Sequence, residues 1–159
     1  LLFMGMAKRE GVEEIMRGKQ LSKKFRGHYV SPSIHLAKSM DKKSRFLMSE
    51  IFGPNCTFIP FREIEEAIEI ANATEFGLVS SVFTKDPGIF KKCLNEIDAG
   101  LINLNRSTVG ASSRLPFGGV KNSGNYRPAS VATIDSCVYQ QASLEVTTEK
   151  IDEVNGLNP

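Results

Sequence analysis

The 159-residue chain has no tryptophan, two histidines, three cysteines and no excess of either charge. His28 and His35 are far from any paired cysteines, and Cys56, Cys93 and Cys137 are widely spaced, so the ligand spacing of a zinc-type site is missing and no metal is expected. An odd set of scattered thiols also excludes a disulfide framework. Reduced cysteines in a cytoplasmic setting are the expectation. With 20 basic against 18 acidic residues, the net charge is only +2, which leaves no electrostatic footprint for nucleic acid. No apolar run reaches the length of a membrane span. The first residues, Leu-Leu-Phe-Met-Gly-Met-Ala, lack an initiator Met and the basic start of a signal peptide, and read as a helix whose beginning lies upstream.

What is present is an ordinary globular composition, 41% hydrophobic and 24% charged, in a length that suits one compact domain. Residues Leu1 to Arg17 read as helix, interrupted near Gly5 and Gly11 and stopped at Gly18. Tyr29 to Ala37 reads as extended, with Pro32 arguing for an edge or irregular strand. Asp41 to Ser44 is a solvated turn. Cys56 to Phe61 is an apolar run of strand length, which puts Cys56 in the core.

The clearest helix follows. Ile64, Ala67, Ile68 and Ala71 fall on one face, while Glu63, Glu65, Glu66 and Glu69 take the others. Four carboxylates so arranged form a solvated face rather than a metal site. Leu78 to Phe83 is a second strand. Asp86-Pro87 then starts a helix by a definite mechanism: the carboxylate caps free N–H groups, and proline at the first position gives up no hydrogen bond. Its stripe, Ile89, Phe90, Cys93, Leu94 and Ile97, reads as core, and Gly100 ends it. Leu101 to Asn105 is a third strand.

Strand, helix, strand, helix and strand in this order predict a parallel α/β sheet. Beyond it, 106–127 is a long loop rich in Ser, Gly and Arg, and a loop of that length in a compact domain is usually functional. A short helix, Ala129 to Ser136, and a last strand, Val138 to Val146, precede a polar tail.

Two motifs stand out: Glu50-Ile51-Phe52-Gly53-Pro54, and Pro116-Phe117-Gly118-Gly119-Val120-Lys121-Asn122-Ser123-Gly124. In this order, with Phe76-Gly77-Leu78 and Val82-Phe83-Thr84 between them, they resemble the aldehyde dehydrogenase superfamily, and the resemblance covers the chain up to about Val146. Gly110-Ala111-Ser112-Ser113, Gly124-Asn125-Tyr126-Arg127-Pro128-Ala129, Cys137-Val138-Tyr139 and Ala142-Ser143-Leu144-Glu145 resemble its succinylglutamate semialdehyde dehydrogenase branch, which acts in arginine catabolism.

The resemblance implies an oxidoreductase of the aldehyde dehydrogenase fold that uses NAD or NADP on a small aldehyde. On this basis 1–136 are the C-terminal part of a catalytic domain, 137–146 an oligomerisation strand that extends the sheet of a like subunit, and 147–159 a polar tail. It implies that Glu50 accepts hydrogen bonds from the nicotinamide ribose hydroxyls and that Phe52 packs beside the nicotinamide end. Gly110, Ala111, Ser112 and Ser113 then face the aldehyde's tail, with Arg106 or Arg114 available to clamp a carboxylate, and Phe117 lines the aldehyde tunnel. The family's nucleophilic cysteine and general-base glutamate lie upstream of Glu50. None of Cys56, Cys93 and Cys137 matches that nucleophile, and no catalytic residue is assigned. Three readings stay open: part of such an enzyme that is inactive alone, a catalytically dead module acting through its oligomerisation strand, or part of another aldehyde dehydrogenase branch.

Overall fold

The computed structural model describes residues 2–21, 27–124, 129, 130, 132–145 and 147. The first helix, α1, is Leu2–Arg9, shorter than the apolar start suggests. Gly11 has φ +75°, a left-handed conformation suited to glycine, and there the chain turns out of the helix. Residues expected to continue it form β1 (Glu13–Met16) instead.

β1 pairs antiparallel with β2 (Ser33–Leu36), which pairs parallel with β3 (Asn55–Phe58). β2 is therefore the central strand of three, not an edge. Pro32 is tolerated because it precedes the first ladder residue, so the sheet loses no donor. Between β2 and β3 lies a single turn of helix, α2 (Arg45–Met48). Four residues are too few to show a helical repeat, and the sequence did not reveal it.

The core of this region packs Ala7, Val12, Ala37 and Phe46, with Phe3, Met6, Leu47, Ile51 and Ile59 against them. Glu10 ties α1 to α2. Its carboxylate accepts from Ser44 Oγ and from the backbone N–H groups of Arg45 and Phe46, while Ser44 Oγ caps α2 by accepting from Leu47 N at 3.0 Å. These bonds hold the Glu10 carboxyl below its ordinary value, the Ser44 hydroxyl contributing most.

The glutamate-faced helix forms as α3 (Ile64–Asn72), with Ile68 buried. The next strand is split. β4 (Phe76–Gly77) pairs antiparallel with β7 (Val120–Lys121), while β5 (Val79–Val82) pairs parallel with β6 (Leu101–Leu104). Between β5 and β6 runs α4 (Pro87–Glu96), capped as expected: Asp86 Oδ1 accepts from Gly88 N at 2.7 Å and Ile89 N at 3.3 Å. The last helix is α5 (Ala132–Cys137).

The architecture is α/β with parallel pieces, but not one sheet running from Cys56 to Asn105. β3 belongs with β2, and β5 with β6. Each parallel pair needs a crossover connection, usually helical, and here these are β2–α2–β3 and β5–α4–β6. Cys93 is buried, as its stripe demands, and burial raises its thiol pKa. Cys56 is exposed, because the alternation along β3 turns it outward rather than into the core. Cys137 ends α5 instead of opening a strand and is also exposed. Residues 138–145, expected within the last strand, are exposed and carry no strand. A ladder needs a neighbour, and no described strand pairs with them; Val146 and most of the tail lie outside the described residues.

Candidate functional site

The residues singled out by sequence occupy two regions. Glu50 and Phe52 lie in the connection from α2 to β3. Glu50 lines a cleft of about 410 Å³ with Thr74, the chain from Phe76 to Ser80, Asp98 and Ser123. Its carboxylate is exposed and accepts no hydrogen bond among the described residues. An ionised carboxylate is an acceptor only, with capacity for two neighbouring hydroxyls. Phe52 opens to another groove, beside Phe3, Val30, Phe46 and Pro54. Phe52 is 93% exposed, so among the described residues almost nothing packs on it. The structure thus puts these two residues close in sequence but on separate clefts.

The second region is the loop between β6 and β7. Gly110, Ala111, Ser112 and Ser113 are all exposed, and Gly110 has φ +89°. Ser112 closes a small turn: its Oγ accepts from Arg114 N at 3.2 Å and its carbonyl from Leu115 N at 3.3 Å. The Arg114 carbonyl accepts from Ser130 Oγ and the Arg106 carbonyl from Ser81 Oγ, so both arginines are fixed by their backbones. Phe117 is half-buried where the loop re-enters the fold.

The loop is closed by a close approach of backbones. Gly118 and Gly119 are buried, and a Cβ on Gly100 would lie 1.7 Å from the Gly118 carbonyl oxygen. Only glycine leaves room there. Gly119 N donates to Ser123 O at 3.1 Å, and Gly77 N donates to Ser123 Oγ at 3.2 Å.

A polar cluster the sequence did not disclose sits under β2. His35 is fully buried, its ring 4.8 Å from that of Phe46. Asn55 Oδ1 accepts from Ser33 Oγ at 3.0 Å and lies 2.9 Å from His35 Nδ1, which makes Nδ1 the donor. A lone histidine on an alternating segment gives no sign of this role. Among the described residues, no group of His, Cys, Asp and Glu is placed to hold a metal ion, and no helix is long and apolar enough to cross a membrane.

The aldehyde dehydrogenase family model matches residues 3–142. The chain belongs to the aldehyde dehydrogenase family. Relatives of this aldehyde dehydrogenase chain include proteins named N-succinylglutamate 5-semialdehyde dehydrogenase. That of Burkholderia cenocepacia is 43% identical over 98 residues, 62% of this chain and 20% of the relative. That of Legionella pneumophila is 40% identical over 110 residues, covering 68% and 22%. Among solved structures, an indole-3-acetaldehyde dehydrogenase mutant of P. syringae in complex with NAD+ and IAA matches with a TM-score of 0.77 and 32% identity, covering 84% of this chain and 26% of that one. An NAD-dependent aldehyde dehydrogenase of Sinorhizobium meliloti gives 0.74 and 29%, with the same coverages. The chain spans about a fifth of the length of the curated relatives it matches.

Proposed function

We propose that this chain is part of an NAD(P)-dependent enzyme that oxidises succinylglutamate semialdehyde to succinylglutamate in arginine catabolism, and that it is inactive alone. The observation carrying this reading is identity of about 40% or more to relatives named for that substrate, over 98 and 110 residues. In it, 1–136 are the C-terminal part of the catalytic domain, 137–146 the oligomerisation strand and 147–159 a polar tail, in a cytoplasmic enzyme. The exposed Val138, Tyr139 and Leu144, in a segment with no ladder of its own, favour strand addition to a like subunit.

The bound nicotinamide supplies the hydride acceptor. Glu50 fits this cofactor, because its exposed carboxylate has no competing donor among the described residues and offers two acceptor oxygens to ribose hydroxyls. Phe52 offers an aromatic face to the nicotinamide end. Gly110, Ala111, Ser112 and Ser113 turn small side chains and backbone N–H groups toward the substrate's carboxylates, and Phe117 walls the aldehyde's path. The nucleophile and general base are assigned outside these residues. Cys93 supports that assignment, since its thiol is buried and its pKa raised, the reverse of an activated thiolate.

The test compares the 159-residue chain with the complete enzyme that contains it, following nicotinamide reduction with succinylglutamate semialdehyde and with simple aliphatic aldehydes. Turnover by the complete enzyme with preference for the dicarboxylic substrate is expected, and none by the chain alone. Turnover by the chain alone overturns the assignment of the chemistry elsewhere. Equal use of aliphatic aldehydes overturns the substrate.

A further inference from the structure

The loop 106–117 is bracketed by two residues with the same unusual backbone. Asn105 has φ 51° and Lys121 has φ 54°, left-handed conformations that side chains with a Cβ seldom adopt. Such conformations persist where the surroundings over-determine them, and both residues show how. Asn105 pairs its amide with one backbone unit: Oδ1 accepts from Thr84 N at 2.9 Å, and Nδ2 donates to Thr84 O at 2.8 Å. That fixes the start of the loop to the chain just beyond β5.

Lys121 does the same at the other end with a charge. Its ammonium donates to the carbonyls of Asn72 at 2.9 Å and Thr74 at 3.2 Å, and lies 3.3 Å from Asp98 Oδ2. All three of its hydrogens thereby have an acceptor. The Asn72 carbonyl ends α3 and that of Thr74 follows just beyond it, and α3 has no basic residue in its own last turn. The negative end of the helix dipole is thus met by a cation from a distant part of the sequence. Asn72 in turn ties this end to α4 and the turn after it, its side chain donating to Glu96 O at 2.7 Å and accepting from Asp98 N at 2.8 Å. Beside it, Asn122 N donates to Glu75 O at 2.9 Å, and Asn122 Nδ2 to Glu75 Oε2 at 3.2 Å. From this fastening the chain runs straight back through buried Gly119 and Gly118 to Phe117.

We propose that Lys121 is a positioning residue. Its ammonium locks the re-entry end of loop 106–117 to the C-terminal end of α3 and so sets where Phe117 and the segment 110–113 present themselves to substrate. Asn105 is the matching anchor at the other end. The proposal rests on the reading of those residues as the aldehyde-facing surface.

The test uses the complete enzyme with Lys121→Met, Lys121→Arg and Lys121→Gly. Lys121→Met is expected to raise KM for succinylglutamate semialdehyde roughly tenfold, with kcat and KM for the nicotinamide cofactor changed by no more than about twofold. Lys121→Arg recovers part of the loss because the charge returns. Lys121→Gly behaves like Lys121→Met although glycine fits the backbone better. Wild-type KM in Lys121→Met or Lys121→Gly, or a matching fall in kcat with all substrates, overturns the proposal.

Amide exchange separates this result from failure of the proposed reaction. Whatever the substrate, Lys121→Met should speed exchange at Gly119, Asn122 and Ser123 by roughly tenfold, leaving β2 unchanged. Unchanged exchange at those amides, or equal acceleration in β2, counts against the clamp. If Lys121→Met does not fold, Asn122→Ala removes the side-chain bond to Glu75 from the same fastening and should give the same KM split; a wild-type KM there overturns the proposal as well.

Discussion

The two halves of this molecule are held together differently. From α1 to β3 the chain makes a small closed unit, with β2 flanked on both sides and Ala7, Val12, Ala37 and Phe46 buried beside His35 and Ser33. From α3 onward, Ile68 and Cys93 are the buried hydrophobic side chains among the described residues, the sheets have only two strands each, and Phe83, Val109 and Leu115 are exposed. A parallel pair is normally covered on both faces, and β5 is open along the groove it shares with α3 and α4. In the first half apolar burial does the holding. In the second, polar fastenings take over: the Asp86 cap, the Asn105 and Lys121 anchors, and the bonds of Gly77 N and Gly119 N to Ser123. The loop with the proposed substrate residues grows from the half held by polar contacts.

The comparison is broken most severely by Phe46→Ala. It empties the centre of the closed half and removes the ring against His35, so a loss of about 3–5 kcal/mol is expected. Denaturant unfolding should show it, with exchange accelerated first in β2. An equal loss from Leu94→Ala, on an exposed position of α4, would erase the distinction between the halves.

Gly100→Ala comes next. The new Cβ has backbone, not a flexible side chain, in its way. Overpacking of this kind costs about 1–3 kcal/mol. Exchange should rise at Gly77, Asn122 and Gly119 while Ala37 and Val12 stay protected; unchanged protection at Gly119 would mean the close approach is not needed.

Much of the first-order fold was legible in the sequence, and the reasons are local. α3 shows through the spacing of Ile64, Ala67, Ile68 and Ala71, and α4 through Asp86-Pro87 and a stripe centred on buried Cys93, although Leu94 of that stripe is exposed. β4–β7 was not legible, because Phe76 and Lys121 form a two-residue ladder between distant segments, and nothing in either segment announces the other. β1 was missed because Glu13-Glu14-Ile15-Met16 has no alternation, its four side chains all being exposed. For the candidate site, motifs named the residues but not their geometry. Glu50 and Phe52 open to separate clefts, and Lys121 reads as a surface lysine until the carbonyls of Asn72 and Thr74 are placed around it.

Asp86→Ala tests a single polar fastening in the second half. Losing an N-cap that serves Gly88 N and Ile89 N should cost about 1 kcal/mol. The loss should appear as fraying of α4 in exchange or circular dichroism. No change would mean that Pro87 and the tertiary contacts suffice to start the helix.

The smallest effect expected is in the pH response, and its sign differs between the halves. Glu10 is held below its ordinary pKa, first by the Ser44 hydroxyl and then by the N–H of Phe46. A depressed carboxyl contributes stability above its unfolded value, and that contribution disappears as pH falls through the folded one. Acid should therefore loosen the α1–α2 junction, and Glu10→Gln should remove this part of the acid sensitivity. In the other half, Lys92 bridges Glu96 on α4 and Glu65 on α3, and its pKa is raised, chiefly by its hydrogen bond to Glu96. A raised lysine contributes below its unfolded value and loses that contribution as pH rises through the folded one, so base should loosen α3 from α4. Glu65 is also held low, by its own backbone N–H first and Lys92 second, so acid acts weakly there as well. Glu10 and Glu65 are exposed and Lys92 is half-buried, so all three are screened by salt. The prediction is an order of events: in acid, exchange at Phe46 N should accelerate before the α3–α4 contact weakens, and in base the reverse. Simultaneous loosening at both pH extremes would mean that the two halves unfold as one unit.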